Sequence, residues 1–521
     1  MSEDSEIFAN AAKGAGALAI QGALNAILGA TLFMYMARVL TAKELGIYAA
    51  INILIAVASW AALIAMDMAM ARFIPKLLGE RKFSTASATA KRILRITVLC
   101  SSLFLCIFFV ASPIFSSYML GDMKYVWFFQ LASFMILASA LGTLFDAILQ
   151  GLRRFEKLAL YRLLSQIIRV ALTTYLLAMG FSVAAPLIGS IILSVTLITF
   201  ILPTALKSLL LVSSSKSIPV KKLFSFSLPI LGQRIIVFAS DNIDKLIVLG
   251  ALTVETLGVY SIAITGASLP ALFGIPILTT LIPSMSESYG KFGIKSINEA
   301  LKLSIRYTTI TFIPLSLTLA ALSPLAIQIL AGPAYSQATL PLTIICLGIS
   351  LYGFSAVLLS ALTALGKTGR IMVAIAIATT AELITAFFLT RFIGVIGAAI
   401  SRALMYIALL TALAILSSKL IPLNFNLKFL ARSLLASSAV TICTFLAAMT
   451  TSFNPTLIPL YLIIALTSYA IFFPLTRAVN LNDIYFVAKA MPFGSSTLNL
   501  SIKIFRSSRP LYKFAKWLLH V

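Results

Sequence analysis

The stretch Leu40-Thr-Ala-Lys-Glu-Leu-Gly-Ile-Tyr48 returns 212 positions later as Leu252-Thr-Val-Glu-Thr-Leu-Gly-Val-Tyr260. Repetition of this kind in a chain of long apolar runs means that one membrane unit is present twice. Paired units rocking about a shared cleft are the usual frame of a secondary transporter. An even number of apolar runs separates the two copies, so both are expected on the same side of the membrane. The halves are then parallel, with a pseudo-twofold axis along the membrane normal.

Of the 521 residues, 60% are hydrophobic and 11% charged, with a mean hydropathy of +1.04. A soluble domain carries about 25% charged residues, so an integral membrane protein is expected. About fourteen segments approach the roughly 20 apolar residues that cross a bilayer. They lie near 14–37, 46–70, 94–118, 126–149, 158–179, 182–205, 226–250, 257–284, 303–322, 338–364, 371–390, 393–416, 432–450 and 456–476. The predicted fold is all-α and polytopic, with two parallel six-helix lobes around a central cleft. Residues 1–206 form the N-lobe, 222–417 the C-lobe, 430–478 two extra spans and 479–521 a basic cytoplasmic tail. In that tail Leu511, Phe514 and Leu518 share one helical face beside Lys513 and Lys516, which predicts a helix lying on anionic inner-leaflet lipid.

A net charge of +24 raises nucleic acid as a partner, and the placement of the charge argues against it. Lysine and arginine crowd alternate connections, at Arg72–Arg95, Arg153–Arg162, Lys207–Lys222, Lys291–Arg306, Lys367–Arg370 and Lys419–Arg432, and in the tail. The intervening connections hold Arg38, Lys43, Lys124 and Arg391. That bias puts both termini in the cytoplasm. The acidic opening Met-Ser-Glu-Asp-Ser-Glu precedes no small-residue cleavage site, so the first span is expected to stay. Cys100, Cys106, Cys346 and Cys443 show no paired spacing, and the single histidine is His520. A disulfide framework, a metal site and histidine catalysis are all unexpected.

Several segments together resemble the polysaccharide flippase family of the multidrug/oligosaccharidyl-lipid/polysaccharide exporter superfamily. They are Arg38-Val-Leu-Thr41 with Gly46-Ile-Tyr48, Arg72-Phe-Ile-Pro75, Gln150-Gly-Leu-Arg-Arg-Phe155, Ser227-Leu-Pro229 and Asp244-Lys-Leu-Ile-Val-Leu-Gly250. Gly258-Val-Tyr260, Gly332-Pro-Ala-Tyr335, Leu365-Gly-Lys367 and Gly394-Val-Ile-Gly-Ala-Ala399 complete the ordered set. The resemblance implies a transporter, not an enzyme. It would move an isoprenoid-linked oligosaccharide across the cytoplasmic membrane by alternating access, without cofactor and with Na+ or H+ as the coupling ion. A monomer working near glycosyltransferases is expected. Two rivals are a cation-coupled multidrug exporter of the same superfamily and a membrane glycan polymerase or transferase. The short outer connections leave the last little room for catalytic residues.

Charges inside spans are the informative residues, since each costs roughly 2.5–3.5 kcal/mol to insert. Arg162, Ser165, Gln166, Arg169 and Thr173 form one helical stripe, suited to lining a cavity. Arg234, Asp241 and Lys245 share a face of the seventh span, with Asp244 beside them, and Arg234 stands about 10 Å from the nearest carboxylate of its own helix. Arginine grips a pyrophosphate through parallel hydrogen bonds without losing its proton. Arg169 and Arg234 are thus the first candidates for the lipid headgroup, with Arg162, Gln166, Lys245 and Arg306 in support. Asp241 and Lys245 can instead pair within the helix, and Arg306 can be an ordinary positive-inside residue.

Asp67, Asp146, Asp241, Asp244 and Glu382 are candidates for ion coupling. For Asp67, Asp146 and Glu382 the alternative is to neutralise an arginine of a neighbouring helix, and this structural role is preferred. Gln21 and Asn25 offer hydrogen bonds to sugar hydroxyls or between helices. Gly266, Pro270, Gly274 and Pro276 mark the eighth span as a gate or a fixed kink.

Overall fold

A computed structural model describes residues 3–210, 217–418, 420–421 and 427–479. Among these residues all regular structure is helical, and the chain divides into two compact units, Met1–Ser261 and Ile262–Val521.

The first unit holds α1 (Glu3–Val39), α2 (Ala42–Leu63), α3 (Met66–Gly79), α4 (Phe83–Leu120), α5 (Val126–Gly151), α6 (Phe155–Ala178), α7 (Ala184–Ala205) and α8 (Val220–Ala251). The unit ends inside α9 (Val254–Ala267). The second unit continues with α10 (Leu269–Phe292), α11 (Ile294–Ala321), α12 (Ser323–Leu330), α13 (Thr339–Ile349), α14 (Tyr352–Ala364), α15 (Thr368–Ile393) and α16 (Val395–Ser418). The pair α17 (Leu427–Thr450) and α18 (Ile458–Leu475) completes it.

Ten of the described helices are long and apolar enough to cross a membrane, or up to twelve if two bent pairs each count as one span. The expected fourteen segments fall on helices, but not all pass on length and apolarity. The 24 residues of α6 would reach about 36 Å, yet Arg162, Ser165, Gln166 and Arg169 lower its apolarity. Two helix pairs are sharply bent. Helices α11 and α12 meet at 77°, and the stretch Pro333–Ile349 meets α14 at 41°. The eighth segment is interrupted at Ser268, between α9 and α10, with Pro270 in the first turn of α10.

The repeated stretch explains its own sequence. Thr41 caps α2 by accepting from the Glu44 amide while the Glu44 carboxylate accepts from the Thr41 amide at 2.8 Å, a reciprocal closure worth about 1 kcal/mol. At the second copy the Thr253 hydroxyl accepts from the Thr256 amide at 3.2 Å. A Cβ added at Gly46 would lie 1.8 Å from the Val254 carbonyl oxygen, and one added at Gly258 would lie 2.0 Å from that of Ala42. Ala42 and Val254 are the same position of the repeat, as are Gly46 and Gly258. The contact is therefore self-complementary, like the isologous interface of a symmetric dimer.

Close helix approach elsewhere follows the same rule, since bilayer lipid is as apolar as leucine and small residues make the contacts. Gly142 of α5 faces Ser194 of α7, and Gly348 of α13 faces Ala403 of α16. Met66, Met70 and Ile74 of α3 pack with Ile93 of α4 and Leu144 and Ile148 of α5 in the first unit. In the second, Val357, Leu358 and Leu362 of α14 pack with Leu409 and Leu413 of α16.

Helices α2 and α3 form one long span interrupted at Ile64 and Ala65, whose φ angles are +49° and +53°. A β-branched residue in the left-handed region is strained. The Ala65 oxygen accepts from the Met68 and Ala69 amides at the start of α3, and the Ser227 hydroxyl of α8 donates to it as well at 3.3 Å.

Candidate functional site

The break at Ile64–Ala65 starts α3 afresh and puts Asp67 in its first turn, where the positive end of the helix favours a carboxylate. Arg234 of α8 reaches it with both terminal nitrogens, Nη1 to Oδ1 at 3.0 Å and Nη2 to Oδ2 at 2.6 Å. On α5, Asp146 accepts from Arg162 of α6 through Nε and Nη2, both at 2.6 Å, and from Gln150 at 2.7 Å. Both contacts are two-pronged and charge-assisted, the strongest common form of hydrogen bond in proteins. In the second unit Arg402 Nε of α16 lies 3.0 Å from Glu382 Oε1 of α15.

These pairs revise the reading of two arginines. Arg234 is remote from carboxylates of its own helix, but α3 supplies Asp67, so an arriving anion has to share or displace that carboxylate. Arg162 stands in the same relation to Asp146.

Arg169 is different. Its Nη2 makes one long contact, 3.4 Å, to the Ser190 hydroxyl of α7, and its buried Nε has no partner among the described residues. No carboxylate pairs with it among those residues. A Cβ at Gly189 would fall 2.0 Å from Thr173 Oγ1 and 3.6 Å from Arg169 Cγ, so glycine is what lets α7 lie against this face of α6. The expected stripe does share a face, but it is not lined evenly by open space. Ser165, Gln166 and Thr173 are buried, while Arg162 and Arg169 are partly exposed.

The other candidates are distributed. Lys245 donates to Asn242 Oδ1 at 3.1 Å. Asp244, fully buried, accepts from the Tyr260 hydroxyl at 2.6 Å and ties α8 to the second repeat copy. Asp241 is exposed. The Arg306 guanidinium lies 5.2 Å from the ring centre of Phe429 on α17, a cation–π contact. Gln21 is buried, and Asn25 Oδ1 has no partner among the described residues. His520 and the predicted tail helix lie outside the described residues, among which no cluster of three metal-binding side chains occurs.

A family model described as polysaccharide biosynthesis protein matches residues 35–340. That stretch contains both repeat copies, Asp67, Asp146, Arg162, Arg169 and Arg234. The chain belongs to this family. Among solved structures it resembles the lipid II flippase MurJ in its inward closed conformation, with 19% identity over 87% of this chain and 97% of that one and a TM-score of 0.68. An inward-facing multidrug resistance MATE family transporter of the MOP superfamily matches at 14% identity, 76% and 94% coverage and a TM-score of 0.61. A MOP superfamily transporter from Pyrococcus furiosus, for which a binding pocket of reverse polarity is described, matches at 14% identity, 78% and 94% coverage and a TM-score of 0.51. No curated protein matches the chain. At these identities the likeness establishes the fold, which is that of multi-pass membrane transporters and flippases.

Gln150 on Asp146, Ser190 beside Arg169 and, in the second unit, Arg402 on Glu382 are not among the residues expected to act. The signal for Gln150 is present, since Ser139, Thr143, Asp146 and Gln150 recur at i, i+4, i+7 and i+11 of α5, a single stripe on a helix.

Proposed function

We propose that this protein is a flippase that carries an isoprenoid-(pyro)phosphate-linked oligosaccharide from the inner to the outer leaflet of the cytoplasmic membrane by alternating access, with both termini cytoplasmic. Arg169 carries the reading. A permanent cation inside a span costs roughly 2.5–3.5 kcal/mol, and this one has no carboxylate among the described residues to offset it. An anion that visits and leaves is the natural complement, and a pyrophosphate presents acceptor oxygens at the spacing of a guanidinium fork.

Arg162 and Arg234 are reserve grips, released when Asp146 or Asp67 takes up a proton or Na+. Family membership and the MurJ-like fold support the lipid-linked cargo. The likeness to a MATE family transporter keeps a cation-coupled drug exporter as the second reading, although Arg234, Arg162 and Arg402 already occupy the deep carboxylates that would receive organic cations.

Equilibrium binding of farnesyl pyrophosphate to the purified protein tests the anion grip. Arg169→Ala should weaken it by about 10- to 100-fold, the worth of one charge-assisted hydrogen bond or slightly more. Undiminished binding, or saturable binding of an organic cation in its place, would favour the exporter.

A further inference from the structure

A cavity of about 240 Å³ opens between α2 and α5 in the first unit. Its polar lining is Asn52, Ser59, Ser139 and Thr143, and its aromatic wall is Trp60. No charged side chain lines it. We propose that this cavity is a saccharide subsite, in which the indole of Trp60 stacks on one sugar ring of the cargo while Asn52, Ser59, Ser139 and Thr143 hydrogen-bond its hydroxyls. The inference rests on the flippase reading and assigns where the glycan, as distinct from the phosphate, is held.

The hydrogen-bonding capacity of the wall is partly unspent. Ser139 donates to Ser59 Oγ at 2.9 Å, and the Ser59 hydroxyl has no acceptor of its own among the described residues. The Asn52 amide gives one hydrogen to the Tyr48 carbonyl at 2.8 Å, which leaves its second hydrogen and its Oδ1 for a ligand. Ser59 is buried, and a buried polar group is normally satisfied; Asn52 and Ser139 are half-buried, and a hydroxylated ring that both donates and accepts would complete the bonding of all three. An ion would not, because the wall has no charge to compensate it.

Trp60 packs against one neighbouring ring. The Phe238 ring of α8 stands edge-on to it, with centroids 5.3 Å apart and planes at 81°. An aromatic face backed by neutral hydrogen-bonding groups suits a pyranose, whose C–H face is apolar and whose rim is not. The volume lies below the roughly 300–1,000 Å³ of pockets that enclose drug-sized ligands, so it holds one ring and leaves the rest of a chain outside. Thr143 is exposed at its edge and stands three residues from Asp146 on α5, a rise of about 4.5 Å. The Asp146–Arg162 pair, a reserve grip for the phosphate, is therefore about one turn away.

Full-length protein would be titrated with farnesyl pyrophosphate and with the same lipid carrying glucose, galactose or N-acetylglucosamine. At least one glycosylated probe should bind about tenfold more tightly than the bare lipid, the worth of a stacking contact with a hydrogen bond. Trp60→Ala should erase that preference without changing affinity for bare farnesyl pyrophosphate, and Trp60→Tyr should retain most of it. Ser59→Ala combined with Ser139→Ala should reduce it. A preference that survives Trp60→Ala, or equal binding of all probes by the unaltered protein, would overturn the subsite and leave the phosphate grip standing. Failure of any probe to bind would instead overturn the flippase reading, and this inference with it.

Discussion

In the first unit Arg162 and Arg234 hold Asp146 and Asp67 while keeping 31% and 25% of their side chains exposed. In the second, Arg402 meets Glu382 with 6% and 0% exposure. The pairing chemistry is shared, but the access is not. A sealed pair gives water and visiting ions no edge to approach. A pair with a wet edge can exchange its partner for a proton, a cation or a phosphate. Arg169, in the same unit as the accessible pairs, lacks a carboxylate among the described residues altogether. Among the described residues the first unit therefore has arginines graded from committed to uncommitted, and the second has this sealed pair as a lock.

The sharpest way to break the comparison is to open the lock. Glu382→Ala leaves Arg402 buried without its carboxylate and should cost about 3–5 kcal/mol, seen as a large drop in Tm of the detergent-purified protein. Replacing both residues by leucine should recover much of that loss. At the accessible pair, Asp67→Ala should cost less, about 1–3 kcal/mol, because water can reach the released Arg234. Its binding of pyrophosphate should rise, since the fork is freed.

The smallest effect is expected at the surface. Lys82 hydrogen-bonds Glu80 at 2.8 Å, and this contact, with the charge of Lys82, holds the Glu80 carboxyl below its ordinary 4.5. Any stabilisation is therefore present above that ordinary value and lost as pH falls through the lowered one. Because solvent screens an exposed pair, Glu80→Gln should leave Tm at neutral pH unchanged.

Much of this architecture is legible in the sequence, for identifiable reasons. The repeat around Gly46 and Gly258 survives because each glycine faces a backbone carbonyl of the other copy, where a methyl group has no room. The stripe on α6 is visible because helical periodicity is local. The partners of its arginines are not, because Asp67 meets Arg234 across 167 positions and no periodicity reports a contact between helices. The break at Ile64–Ala65 is hidden for another reason. It carries neither glycine nor proline, yet a β-branched residue stands there at positive φ. The cavity beside Trp60 combines both difficulties, since its two walls come from α2 and α5 and each is ordinary in isolation.

Arg169 is proposed as the uncommitted cation that receives an anionic lipid headgroup. Its most direct test is leaflet-to-leaflet movement of a fluorescent polyprenyl-pyrophosphoryl sugar in proteoliposomes, with Arg169→Ala beside the unaltered protein. The variant should stay folded, with a similar Tm, while its translocation rate falls by about tenfold or more. Translocation at the unaltered rate by a folded Arg169→Ala protein would contradict it.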